Sequence, residues 1–192
     1  MYPYYLIAGF FCFAAGAMHR LPDVARLDEQ VFLFIHRHLR QDKLLRVFRA
    51  LWPLGTTPFS LLICALAILF DWRIGLRFAL VYLLAVSFEA GIKKMVQRRR
   101  PFNALAGVTM SQPRKPHDSS FPSGDTLRIW YVALLLPFLF PVPVGVILAG
   151  YFTALLISVG RIALGVHFSL DVLAGAGLGV LFAGIYLLPV LL

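Results

Sequence analysis

Three short stretches carry the side chains that could do chemistry. In "KKMVQRRRP" Lys93 precedes Arg100 and Pro101, "PSGD" runs from Pro122 to Asp125, and "GRIALGVHFSLD" holds Arg161, His167 and Asp171. Lys93, Arg100 and Arg161 have the charge to surround an anion, and arginine's planar fork binds two oxygens at once. A helix opening at Ser123 and Gly124 would add backbone N–H donors, with glycine letting the backbone come close. His167 is a candidate nucleophile, and Asp171, four residues on, is within reach of its other ring nitrogen if the segment is helical. Taken singly, each stretch has a plainer explanation: a basic cluster on lipid phosphates, a helix cap, a polar turn. Their weight depends on whether the chain can bring them together.

Composition indicates which elements must do so. The 192 residues are 60% hydrophobic and only 14% charged, with a mean hydropathy of +0.81, far from the soluble globular average. Apolar segments at about 2–18, 54–71, 74–92, 124–141, 143–160 and 170–191 are the candidates to cross a hydrocarbon core of about 30 Å, the second being cut short by Asp71. The expected fold is all-α: a polytopic membrane helix bundle of about six transmembrane helices, forming one integral-membrane domain over residues 1–192. The first run reads as a retained span and not a signal peptide, since no basic region precedes its apolar part. Alternating spans put 19–53, 93–123 and 161–169 on one face and 72–73 and 142 on the other. The three stretches can therefore meet.

Between the first two spans, Val31, Phe32, Phe34, Ile35, Leu39, Leu44, Leu45, Val47 and Phe48 recur at near-helical spacing, with Arg37, Arg40, Lys43, Arg46 and Arg49 between them. This predicts an interfacial amphipathic helix, a brace in the headgroups that touches no substrate, in which His19, His36 and His38 need no role as ligands. Glu89, an acid inside an apolar span, is read as the structural partner of the basic cluster beyond it. Gly175, Gly177 and Gly179 follow no strand, so they predict close helix packing and not a nucleotide loop. Pro141 and Pro143 mark a turn between spans. Cys12 and Cys64 lie in apolar segments and read as small buried hydrophobes. The net charge of +9 falls at membrane boundaries, which favours anionic membrane lipids or a phosphorylated substrate as partners and excludes nucleic acid.

In order and spacing the three stretches resemble the type 2 phosphatidic acid phosphatase (PAP2) superfamily of membrane lipid phosphatases. Its motifs are Lys-x6-Arg-Pro, Pro-Ser-Gly-His and Ser-Arg-x5-His-x3-Asp. Lys93, Arg100 and Pro101 match the first in full; Pro122, Ser123 and Gly124 match the second up to Asp125; Arg161, His167 and Asp171 match the third, with Gly160 in place of serine. The resemblance implies a cell-membrane phosphatase that uses no metal or cofactor. His167 would attack phosphorus to give a phosphohistidine that water hydrolyses, Asp171 would fix its tautomer, and Lys93, Arg100, Ser123, Gly124 and Arg161 would hold the phosphoryl group as charge spreads over it. Bacterial relatives work on the outer face of the cytoplasmic membrane. Every Lys and Arg except Arg73 and Arg77 lies on or beside the catalytic face, which the positive-inside rule would make cytoplasmic. The family's orientation is the expectation, because the amphipathic segment sits among headgroups.

Asp125 stands where the family's histidine protonates the leaving alkoxide. A carboxylate at a helix N-terminus among Lys and Arg is expected to favour its ionised form, leaving little neutral acid to give a proton, and to repel the substrate phosphate unless Arg128 one turn on neutralises it. A lipid monophosphate leaving from a diphosphate, with a relevant pKa of about 6 by analogy with phosphorylated side chains, departs without protonation, whereas an alcohol does not. The expected substrate is therefore a lipid diphosphate such as a polyprenyl diphosphate. Two alternatives are that His117 supplies the proton, or that the acid site is disabled, leaving a lipid phosphotransferase or binder. A protein that only binds or moves phospholipids would explain the spans and the basic helix, but not the spacing of Arg161, His167 and Asp171.

Overall fold

In lipid a lone apolar segment satisfies its backbone polar groups only by forming a helix. The computed structural model describes residues 3–188, and among them all regular structure is helical. The six expected apolar segments form α1 (Pro3–Ala17), α4 (Thr57–Phe70), α5 (Trp72–Val96), α7 (Gly124–Leu139), α8 (Val144–Ala163) and α9 (Ser169–Tyr186). Among the described residues, α8, α9 and the run Trp72–Ala104 that contains α5 are each long and apolar enough to cross a membrane. A fourth span forms if α4 is joined to Asp42–Gly55 across a 48° bend. With 15, 14 and 16 residues, α1, α4 and α7 reach about 21 to 24 Å. Asp71 ends α4 and caps α5, accepting from the N–H groups of Arg73 at 2.9 Å and Ile74 at 3.1 Å.

α9 runs through the middle of the bundle, with α1 on one side and α7 on the other. Its glycines permit this. A Cβ on Gly177 would overlap the backbone of Gly9 and Phe13 in α1, and one on Gly175 would overlap the Ser123 carbonyl at the start of α7. The small-residue stripe thus packs helices, as its sequence predicts. The main core lies between α5, α7 and α9 around Phe78, Tyr82, Leu127, Tyr131, Leu135 and Leu178, where the Tyr131 hydroxyl donates to the Phe78 carbonyl at 2.9 Å.

The amphipathic segment is two helices and not one. α2 (Pro22–Leu39) and α3 (Asp42–Leu51) break at Arg40 and Gln41, whose backbones leave the helical region, and Asp42 restarts the chain with an acid at the helix N-terminus. The three histidines of this region bond to backbone carbonyls: His19 to Gly16, His36 to Ala163 and His38 to Phe34. The brace reading needs one correction. The buried stripe of α2 consists of Asp28, Phe32 and His36, and Asp28 reaches the cluster that supports the site.

Short backbone ties bring the three motif stretches together. After α5 ends at Gln97, in the left-handed region with φ 48°, the chain runs extended to α6 (Pro101–Ala104). There the Arg98 carbonyl accepts from the Ser120 N–H at 2.9 Å, while the Ser123 N–H donates to the Asp171 carbonyl at 3.0 Å. The α8–α9 turn passes through Gly165 at φ +77°, and the His167 N–H returns to the Arg161 carbonyl at 3.3 Å. Gly160, where the family has serine, packs against α3: a Cβ would lie 3.0 Å from the Phe48 ring.

Candidate active site

These ties close a cavity of about 350 Å³ at one end of the bundle. Lys93, Arg100, Gly124, Asp125, Arg161 and His167, all expected from sequence, line it; Arg128, His117 and Asp118 line it too, as do Trp52, Thr57 and Pro58 from the turn before α4 and its first residues. Lys93 comes from the last turns of α5, Arg100 from the extended strip before Pro101, and Gly124, Asp125 and Arg128 from the first turns of α7. Arg161 lies near the end of α8, and His167 in the turn that follows.

The orientation of His167 follows from its neighbours. Arg100 Nη1 lies 3.1 Å from Nε2, and because a guanidinium only donates, Nε2 must be the acceptor. Nδ1 then carries the proton and donates to the Ser120 carbonyl at 2.7 Å. Burial, and then the Arg100 guanidinium, push the imidazole down to about 3, so it is neutral at pH 7 with its lone pair on the nitrogen beside the cavity.

Asp171 does not hold the ring directly. Its Oδ2 is 3.7 Å from Nδ1 and instead accepts from the Ser120 hydroxyl at 2.5 Å and the Phe168 N–H at 2.9 Å. Its other oxygen takes Arg98 Nη1 at 2.6 Å, and Arg98 Nη2 goes on to Asp28 at 2.7 Å. Asp28 also accepts from the Leu170 N–H at 3.0 Å. Asp171 therefore positions His167 through Ser120, within a cluster of Asp28, Arg98 and Asp171 in which both acids are fully buried. Ser123 likewise turns away from the cavity: its N–H is committed to Asp171, and its buried hydroxyl shares a hydrogen bond with Thr126 at 2.9 Å. Its geometry locks α7 to α9, leaving Gly124 as the motif residue on the cavity wall.

Around the cavity, acids and bases alternate. Arg100 Nη2 contacts Asp118 at 2.7 Å, Asp118 contacts Lys93 at 2.5 Å, and Lys93 contacts Glu89 at 2.8 Å. Glu89 then meets Arg128 at 3.0 Å, Arg128 lies 3.7 Å from Asp125, and Asp125 lies 3.0 Å from Arg161. Asp125 also accepts from the Trp52 indole N–H at 3.1 Å. Burial would raise the Asp118 carboxyl, but Lys93 and then Arg100 outweigh it and hold it well below the usual carboxylate range. Arg128 Nε and Arg161 Nε are buried without a hydrogen-bond acceptor.

Sequence reasoning missed Asp118, Arg98, Asp28, Ser120 and Trp52. Asp28 had a readable signal, an acid in helical register with the apolar Phe32 of the amphipathic segment. Asp118 and Ser120 sit in a long connection without periodicity, where only the folded loop reveals their partners.

Residues 74–190 match the PAP2 superfamily. The chain belongs to the PAP2 superfamily. It is 34% identical over 107 residues to an undecaprenyl-diphosphatase from Sulfolobus acidocaldarius, a match covering 56% of this chain and 50% of that protein; the chain thus spans about half the length of that curated relative. Its fold is that of a transmembrane PAP2 type phosphatidylglycerolphosphate phosphatase from Bacillus subtilis, with TM-score 0.78 and 25% identity over 95% of this chain and 94% of that one. LpxE from Aquifex aeolicus matches with TM-score 0.74 and 27% identity over 84% and 94% of the two chains.

The tautomer can be tested directly. In ¹⁵N NMR of the purified protein, with the resonance assigned by its loss in His167→Ala, His167 should be protonated on Nδ1 alone at pH 7. It should stay neutral as the pH falls to about 5, because its folded-state pKa is depressed. A titration centred near 6.5 would contradict the burial and the Arg100 contact.

Proposed function

We propose that this chain is a membrane phosphatase that hydrolyses a lipid phosphate through a phosphohistidine at His167, and that it prefers a diphosphate such as a polyprenyl diphosphate. The reading is carried by the contacts of Asp125. Its carboxylate accepts from the Trp52 indole and faces the guanidinium groups of Arg161 and Arg128, so its oxygens are engaged as acceptors and neither is placed to donate to a leaving alkoxide. A departing lipid monophosphate needs none. The curated relative named undecaprenyl-diphosphatase supports the same substrate class.

In this mechanism the terminal phosphoryl group enters among Lys93, Arg100 and Arg161 and displaces Asp118, a half-exposed loop carboxylate that already bridges Lys93 and Arg100. Its oxygens replace those of the carboxylate on the same donors. Arg100 turns from Nε2 to the phosphoryl oxygens, freeing the His167 lone pair for in-line attack. The Ser120 carbonyl, still holding Nδ1–H, stabilises the positive charge that the ring acquires on phosphorylation. Water then breaks the N–P bond and releases phosphate. In keeping with the family's orientation, the cavity opens on the outer face of the cytoplasmic membrane.

A substrate panel tests this reading. Purified protein should release phosphate from polyprenyl diphosphates at least about tenfold faster than from phosphatidic acid or phosphatidylglycerol phosphate, reflecting the general-acid contribution that monoesters forgo. His167→Ala should abolish release from all of them. Faster turnover of the monoesters would refute the preference, and near-normal turnover by His167→Ala would refute the nucleophile. Restoring the family residue with Asp125→His should raise monoester kcat/KM by about 10-fold or more, toward a normal general-acid effect; unchanged monoester rates would show that Asp125 does not set the preference.

A further inference from the structure

The cavity wall carries one buried cation that the three motifs do not account for. Arg128 lies one turn into α7, its side chain only 11% exposed, and lines the cavity beside Asp125 and Lys93. Glu89 holds it by Nη2, Asp125 flanks Nη1, and its Nε has no acceptor. Gly124 accommodates this arrangement. A Cβ at that position would overlap Arg128 Nη1 and Glu89 Oε1, so the guanidinium lies directly against the start of α7. Along the alternating charges, Asp118, Lys93 and Glu89 separate it from Arg100, the residue bonded to His167. Arg100, and not Arg128, is the guanidinium against the nucleophile, whereas Arg128 lies beside Asp125, the position from which a leaving-group acid would act.

We propose that Arg128 binds the leaving phosphate of a diphosphate substrate, supplying as a fixed positive charge the stabilisation that a proton donor at position 125 would give to an alkoxide. This rests on the diphosphate reading above. As Nε2 of His167 bonds to the terminal phosphorus, the bond from that phosphorus to the bridging oxygen breaks. The electron pair stays on that oxygen within the departing lipid monophosphate, and no proton moves. Charge develops on the bridging oxygen and its phosphate, where a planar guanidinium with free N–H groups is an effective partner. Glu89 and Asp125 keep Arg128 aimed while the site is empty of phosphate. Arg114 and Lys115 also line the cavity, but both are exposed on the loop and lack this rigid placement.

The test compares two substrates with good leaving groups, farnesyl diphosphate and p-nitrophenyl phosphate; the second has no second phosphate to bind. Arg128→Gln should lower kcat/KM for farnesyl diphosphate about 100-fold more than for p-nitrophenyl phosphate, the effect typical of removing one donor to developing charge. The double variant Glu89→Gln/Arg128→Gln leaves no buried acid stranded by loss of the arginine and should show the same loss of selectivity. Methylenediphosphonate should also lose its inhibitory advantage over methylphosphonate in both variants. Equal losses on the two substrates, or a selectivity that moves with Arg114→Gln/Lys115→Gln and not with Arg128, would overturn the assignment. If the unmodified protein turned over neither substrate, or His167→Ala kept its rate, the failure would lie in the phosphatase reading.

Discussion

The site depends on how charge is arranged at the end of an apolar bundle. A phosphoryl group needs several cations close together, but four such cations around one cavity repel each other, and removing each from water costs on the order of several kcal/mol. Glu89, Asp118 and Asp125 are interleaved among Arg100, Lys93, Arg128 and Arg161, so every neighbour in the series has opposite sign. The cations are thereby held apart, aimed and partly neutralised before any ligand arrives. Of the three acids, Asp118 has the most exposed side chain, at 53%, against 3% for Glu89 and 18% for Asp125, and it alone sits on a loop. The series is therefore most exposed at one point and more deeply packed elsewhere.

The bundle supplies the rigidity this requires. Gly175 and Gly177 let α7 and α1 press against α9, so the starts of α7 and α9 are joined by a direct Ser123–Asp171 backbone bond. Below the cavity, the buried series Asp28–Arg98–Asp171–Ser120 ends at the His167 ring. Losing one partner there would strand a buried charge, at a cost of about 3–5 kcal/mol. α2, which looks from its sequence like a headgroup brace, contributes the far end of that series.

Much of this was legible in the sequence because the membrane restricts the choices. Apolar run length located six helices to within a few residues at most ends, and the glycine stripe predicted the close packing of α9. The spacing of Arg161, His167 and Asp171 identified residues that do converge, since a turn that returns His167 to the Arg161 carbonyl fixes their separation. What was not legible depended on tertiary placement. Ser123 and Asp171 were expected on the phosphate and on the ring nitrogen, yet the short tie between α7 and α9 uses the Ser123 N–H and places Ser120 between Asp171 and His167. Asp118 had no periodic context, and its partners Lys93 and Arg100 are far from it in sequence. Asp125 was legible as a departure from the family, and the structure added the Trp52 and Arg161 contacts that hold its carboxylate.

The most direct measurement is rapid-quench labelling with a polyprenyl diphosphate carrying ³²P in its terminal phosphate. Phosphoryl transfer to His167 with an unprotonated leaving group predicts an alkali-stable, acid-labile label on His167, appearing together with a stoichiometric burst of lipid monophosphate. Absence of a covalent label under conditions of turnover, or release of intact diphosphate with lipid alcohol, would contradict it.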